Sequence, residues 1–216
     1  MRNFITYEWL TVFCLLGLVF VTAAKYMFST RFNDFIQVVG NSKYLKIYTR
    51  EQKFIDTFDG LMFINLVIAL STFIYILYNT LIAPTPFEII SFLKILMAVS
   101  TIFLIKILIE RLIGSLFNID SLIDSYLFQK TTYKNFAGLI LIVANFLLLY
   151  GLKPTKIIII SIIAIIFIIN IIGFITSFKN HQKLISINFF YFLLYLCALE
   201  IGPYVVLYKV IKEYNA

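Results

Sequence analysis

The chain has 216 residues, of which 62% are hydrophobic and 13% charged, and its mean hydropathy is +0.97, a balance that excludes an ordinary soluble domain. The net charge of +7 does not indicate nucleic acid, because the lysines and arginines concentrate in loops between apolar runs, where anionic lipid attracts them. Cys14 and Cys197 both fall within apolar runs, so they indicate neither a disulfide framework nor a metal cluster.

Apolar stretches cover about 9–25, 61–83, 86–113, 136–152, 155–178 and 185–208. Most approach the roughly 20 residues that a helix needs to cross a hydrocarbon core about 30 Å thick. Runs such as "IIIISIIAIIFIINIIGF" are apolar on all sides and lack the period of two of a barrel strand. The expected fold class is all-α, an integral membrane bundle of about six transmembrane helices in one domain spanning 1–216. The first run ends in "VTAAKY", which resembles a signal-peptide cleavage site. Only Arg2 precedes the apolar core, together with Glu8, and the other cations follow it, so it is read as a retained span. Lys134 and Lys153 leave the fourth run a short apolar core, so a re-entrant or tilted segment is its alternative.

Residues 26–60 are the longest polar segment. Phe28, Phe32, Phe35 and Ile36 share one helical face with Arg31 and Asp34 elsewhere, which predicts a short helix at the membrane surface ending near Gly40 and Asn41. A second amphipathic segment, 117–135, places Ile119, Leu122, Ile123, Tyr126 and Leu127 at spacings of three and four. With six spans and the N-terminus outside, the inner loops hold eleven lysines and arginines against five in the outer segments. The positive-inside rule then places both termini in the periplasm and both amphipathic segments in the cytoplasm.

The third run carries Lys94, Lys106, Glu110 and Arg111. Lys106 and Glu110 are four apart and can meet on one face, and with Arg111 they lie near a helix end where long side chains reach water. Lys94 lies eight residues beyond Pro86, about 12 Å down a helix. Glu200, on the sixth run, is expected at a similar depth, so the two are candidates for an intramembrane charge pair or ion site. Pro203 removes the N–H that would bond the Leu199 carbonyl, and Gly202 loosens the same turn, so a helix break is expected beside Glu200. Asn65, Asn145, Asn170 and Asn188 are read as interhelical hydrogen-bonding groups.

Asp120 and Asp124 superficially match the aspartates with which some membrane transferases hold magnesium and a diphosphate. A second acidic run is missing, and a solvated helix face or N-cap explains them better. His181 is the only histidine, which leaves no ligand set for a haem, and no HExxH, GxSxG or phosphate-binding glycine loop occurs. No cofactor and no catalytic residue is expected.

The stretches "SLFNIDSLIDSYLFQKTTYKNFAGL" (115–139) and "NFFYFLLYLCALEIGPYVVLYK" (188–209) carry a resemblance. The pattern at Tyr195, Leu196, Cys197, Leu199, Glu200, Ile201 and Pro203 resembles an uncharacterised family of small polytopic inner-membrane proteins in Bacteroidota. The resemblance implies a location in the bacterial inner membrane and no established activity. The resulting expectation is a non-enzymatic subunit or assembly factor of an envelope complex, in contact with other membrane proteins and with anionic lipid at its basic loops. The alternative is a small transporter or proton-coupled channel using Glu200 and Lys94.

Overall fold

The computed structural model describes residues 8–41, 43–49, 56–81, 87–117, 119–152 and 154–180. The expected sixth span, with Glu200, Gly202 and Pro203, lies outside the described residues, as do His181, Asn188 and Cys197.

The helices are α1 (Glu8–Met27), α2 (Ser29–Ile36), α3 (Lys43–Tyr48), α4 (Thr57–Leu81), α5 (Ile89–Leu116), α6 (Asp120–Phe146) and α7 (Lys156–Asn180). A π-helical turn, Leu147–Gly151, extends α6. Among the described residues, five helices are long and apolar enough to cross a membrane: α1, α4, α5, α6 with its π turn, and α7. They run up and down in chain order, so the ends of α1, α5 and α7 gather with the starts of α4 and α6 at one pole, where α2 and α3 also lie. The molecule is a helical membrane bundle.

α4 and α6 run parallel and make the most extensive contact in the fold, while α1, α5 and α7 pack around them. Two glycines allow this closeness. A Cβ at Gly138 of α6 would stand 2.8 Å from the Leu66 Cα, and one at Gly173 of α7 would stand 2.5 Å from the Tyr133 ring. Lipid offers no hydrophobic drive between helices, so a missing side chain that lets them approach is a main source of packing energy.

Most of the stretches 117–135 and 136–152, read separately in the sequence, lies in one rod over 120–151. Three polar residues of its first half are withdrawn from the surface: Gln129, Thr132 and Asn135 are buried. α2 and α3 fold back over this part of α6, bringing Phe35 against Phe136 and Tyr44 against Phe128, with ring centroids 5.9 and 6.0 Å apart. Phe32 and Phe35 are buried as the spacing predicts, whereas Ile36 of the same predicted face is exposed.

Candidate functional site

The densest polar chemistry lies where α2 and α3 cover the bundle. Arg31, expected on the polar face of its helix, is turned inward. Its Nη2 donates to Asp59 Oδ2 at 2.9 Å, its Nη1 pairs with Asp56, and its Nε donates to the Tyr44 hydroxyl at 3.3 Å. The guanidinium also lies 4.8 Å from the Tyr48 ring centroid and 4.7 Å from that of Phe58, within cation–π range. Local sequence explains how the carboxylates reach it. Asp56 precedes α4 and its Oδ1 accepts the Phe58 N–H at 3.0 Å, in the manner of an N-cap, and Asp59 follows one turn later on the same face.

Burial by itself lowers the pKa of Arg31, but Tyr44, Asp59 and Asp56 outweigh it and hold the guanidinium above its ordinary value. Burial likewise pushes the Tyr44 hydroxyl up, with Asp59 adding to the effect and Arg31 opposing it. Two carboxylates facing one cation, walled by aromatic rings, form a clamp that fixes α2, α3 and α4 together.

A second ionic layer joins α5 to α6. Lys130 Nζ donates to Glu110 Oε1 at 2.8 Å, and Arg111 Nε donates to Asp124 Oδ1 at 2.9 Å. The spacing that sets Glu110 and Lys106 on one face of α5 does not point to a partner for Glu110 on α6. Glu110 is 1% exposed and is directed across the interface to α6, where Lys130 supplies its counter-charge. Lys106 lies beside them in a narrow cleft. Arg111 is partly exposed and is paired with Asp124. The two aspartates do not act together: Asp124 belongs to this pair, whereas Asp120 is exposed in the first turn of α6. Ile119, not Asp120, occupies the N-cap position, so Asp120 favours the helix only through its dipole.

Lys94 is exposed on α5, and no group of opposite charge among the described residues pairs with it. Glu88 is the extended N-cap residue of α5, which starts at Ile89. Lys94 therefore lies about 7.5 Å inside the helix. That is shallower than the depth reckoned from Pro86, and short enough for its ammonium to reach the interface. Whether Glu200 meets it lies outside the described residues.

Between α4 and α6 runs a third polar set. Asn145 Nδ2 donates to the Ala69 carbonyl at 2.8 Å, and Asn135 Nδ2 to the Asp59 carbonyl at 3.4 Å. Both amide atoms of Asn65, Thr132 Oγ1 and the side-chain oxygens of Asn135 and Asn145 are buried with no hydrogen bond to a described group. Asn170 instead bonds back to the Ile166 carbonyl of its own helix at 2.8 Å. Among the described residues, no group of three His, Cys, Asp or Glu side chains is placed to hold a metal ion.

Sequence reasoning singled out Lys106, Glu110 and Arg111 but passed over Asp56 and Asp59. Their signal is present in "FIDTFDG": two carboxylates three apart at the entrance of an apolar run, within an otherwise basic segment.

Fold and site together define a polytopic helical membrane protein whose buried charges are paired across helix interfaces. The chain belongs to the family described as "Domain of unknown function (DUF4271)", whose model matches residues 10–211. No curated protein and no solved structure matches the chain.

Proposed function

We propose that the protein is a non-enzymatic inner-membrane subunit or assembly factor of a multi-protein envelope complex, with α2 and α3 as its contact platform. One observation carries this reading. The Arg31 clamp anchors the platform to the bundle, while Ile36, Val39 and Ile47 remain exposed on it. A rigid element presenting apolar side chains at the end of a bundle is suited to docking. By the positive-inside rule this pole is cytoplasmic and both termini are periplasmic. The test is affinity purification of the tagged full chain in mild detergent with mass spectrometry, alongside Ile36→Glu and Ile47→Glu. A stoichiometric partner lost in both variants is the expected result. A folded protein that purifies alone from its native membrane would sink the reading.

A second reading, a small transporter or proton-coupled channel, draws on a different observation, the buried polar atoms of Asn65, Thr132, Asn135 and Asn145 between α4 and α6. Groups of this kind inside a membrane bundle can line a path for water or protons. In that reading Glu200 and Lys94 handle charge, and proton flux into proteoliposomes should vanish in a stably folded Glu200→Gln variant.

A further inference from the structure

Three buried oxygens around the Arg31 clamp have no hydrogen-bond partner: Asp59 Oδ1, Thr132 Oγ1 and Asn135 Oδ1. We propose that they hold one alkali-metal cation beneath α2 and α3, with Asp59 as its charged ligand.

The packing of α4 on α6 brings the three groups together. Asn135 donates to the Asp59 carbonyl and Asn145 to the Ala69 carbonyl, so each α6 residue is level with the α4 residue 76 positions earlier. Thr132 is thereby level with Asp56. Helical side chains lean toward the helix N-terminus, so Asp59 reaches back from its own level toward that of Thr132. Thr132 is also the middle of the row Phe128, Thr132, Phe136, at spacings of four, whose rings meet Tyr44 and Phe35. It therefore lies under the two helices that carry the clamp. A helical threonine often bonds the carbonyl four residues back, as Thr72 and Thr80 do. Thr132, although wholly buried, makes no such bond.

Charge and donor type select the occupant. Arg31 Nη2 already occupies Asp59 Oδ2, and Asn135 Nδ2 is spent on the Asp59 carbonyl. What remains is a carboxylate, an amide and a hydroxyl oxygen, the hard donors that a hard cation takes. Among the described residues of the clamp, one guanidinium faces two carboxylates, which leaves one negative charge. The N-terminus of α4 offsets about half of it. Water would satisfy the hydrogen bonds but not the charge, whereas one monovalent ion answers both and a divalent ion overshoots. The inference rests on neither reading of function above.

The test is the melting temperature of the full chain in detergent, in sodium chloride, potassium chloride or choline chloride at equal ionic strength. Sodium or potassium should raise it saturably over choline, by about 3–6 °C at ten times the Kd. Thr132→Val and Asp59→Asn should abolish that difference. Thr132→Ser, which keeps the oxygen, and Asn145→Leu, further along the same interface, should retain it. Each variant is compared with itself in choline, so a change in its basal stability does not enter. Equal melting of the wild type in all three salts, the behaviour of a site filled by water, would overturn the proposal. A difference that survives Thr132→Val, or one that disappears in Asn145→Leu, would do the same.

Discussion

Gly138 on α6 and Leu66 on α4 touch backbone to backbone: a Cβ on the glycine would stand 2.8 Å from the Leu66 Cα and 2.9 Å from its Cβ. Backbone cannot yield as a flexible side-chain tip can, so even Gly138→Ala must push the two central helices apart. Overpacking of this kind costs about 1–3 kcal/mol. The expected outcome is a clear drop in melting temperature in detergent. A variant as stable as wild type would mean that the helices are not in contact here.

The Glu110–Lys130 pair should behave differently from its neighbour Arg111–Asp124. Glu110 and Lys130 are 1% and 11% exposed, whereas Arg111 and Asp124 are 30% and 36% exposed. Removing one member of a buried pair strands the other and costs about 3–5 kcal/mol. An exposed pair contributes about 0–1 kcal/mol. Glu110→Gln should therefore destabilise strongly, Asp124→Asn hardly at all, and Glu110→Leu with Lys130→Met should recover most of the loss. Unfolding of the single and double variants gives the coupling energy directly.

The Arg31 clamp predicts a local effect. Arg31→Met leaves Asp56 and Asp59 facing each other under α2 and α3, so this platform should loosen before the bundle does. Limited proteolysis should cut between α1 and α4 in the variant at protease levels that spare the wild type. Replacing both aspartates by asparagine in the Arg31→Met background should restore part of the resistance, because no buried charge is then left unpaired.

Tyr44 gives the same region an alkaline limit. Burial raises its pKa above the ordinary phenol value in the folded state, so the fold holds this proton more tightly than the unfolded chain does. Its contribution is complete below about pH 10 and declines as pH rises beyond the unfolded value. Tyr44→Phe should lessen the fall in stability between neutral and strongly alkaline pH, read as melting temperature against pH.

What the sequence revealed and what it hid divide along physical lines. Apolar run length announces a membrane helix wherever it occurs, so the class of fold follows from α4 or α7 alone. Ion-pair partners depend on how each helix is rotated about its axis, which run length does not encode. The spacing of Lys106 and Glu110 on one helix is visible in one dimension, whereas Lys130, which bonds Glu110 from α6, is twenty positions away. Arg31 looked like a surface cation because α2 is amphipathic, and only its return over α4 and α6 brings it to Asp56 and Asp59. The first half of α6 read as a separate amphipathic segment, because its sequence does not show that it packs along α4, where Asn135 donates to the Asp59 carbonyl.

Orientation is the remaining consequence of charge distribution, and it can be tested with single cysteines. Cys14 is buried and should stay silent toward maleimide. Replacing it and Cys197 by serine provides a clean background. Asn41 is exposed at the pole that carries α2 and α3, and Thr155 is exposed at the opposite pole just before α7. If cationic loops are retained in the cytoplasm, a cysteine at Thr155 should react with a membrane-impermeant maleimide once the reagent reaches the periplasm. A cysteine at Asn41 should react only after the inner membrane is opened. The reverse pattern would place α2 and α3 in the periplasm, and would move the proposed docking platform there with them.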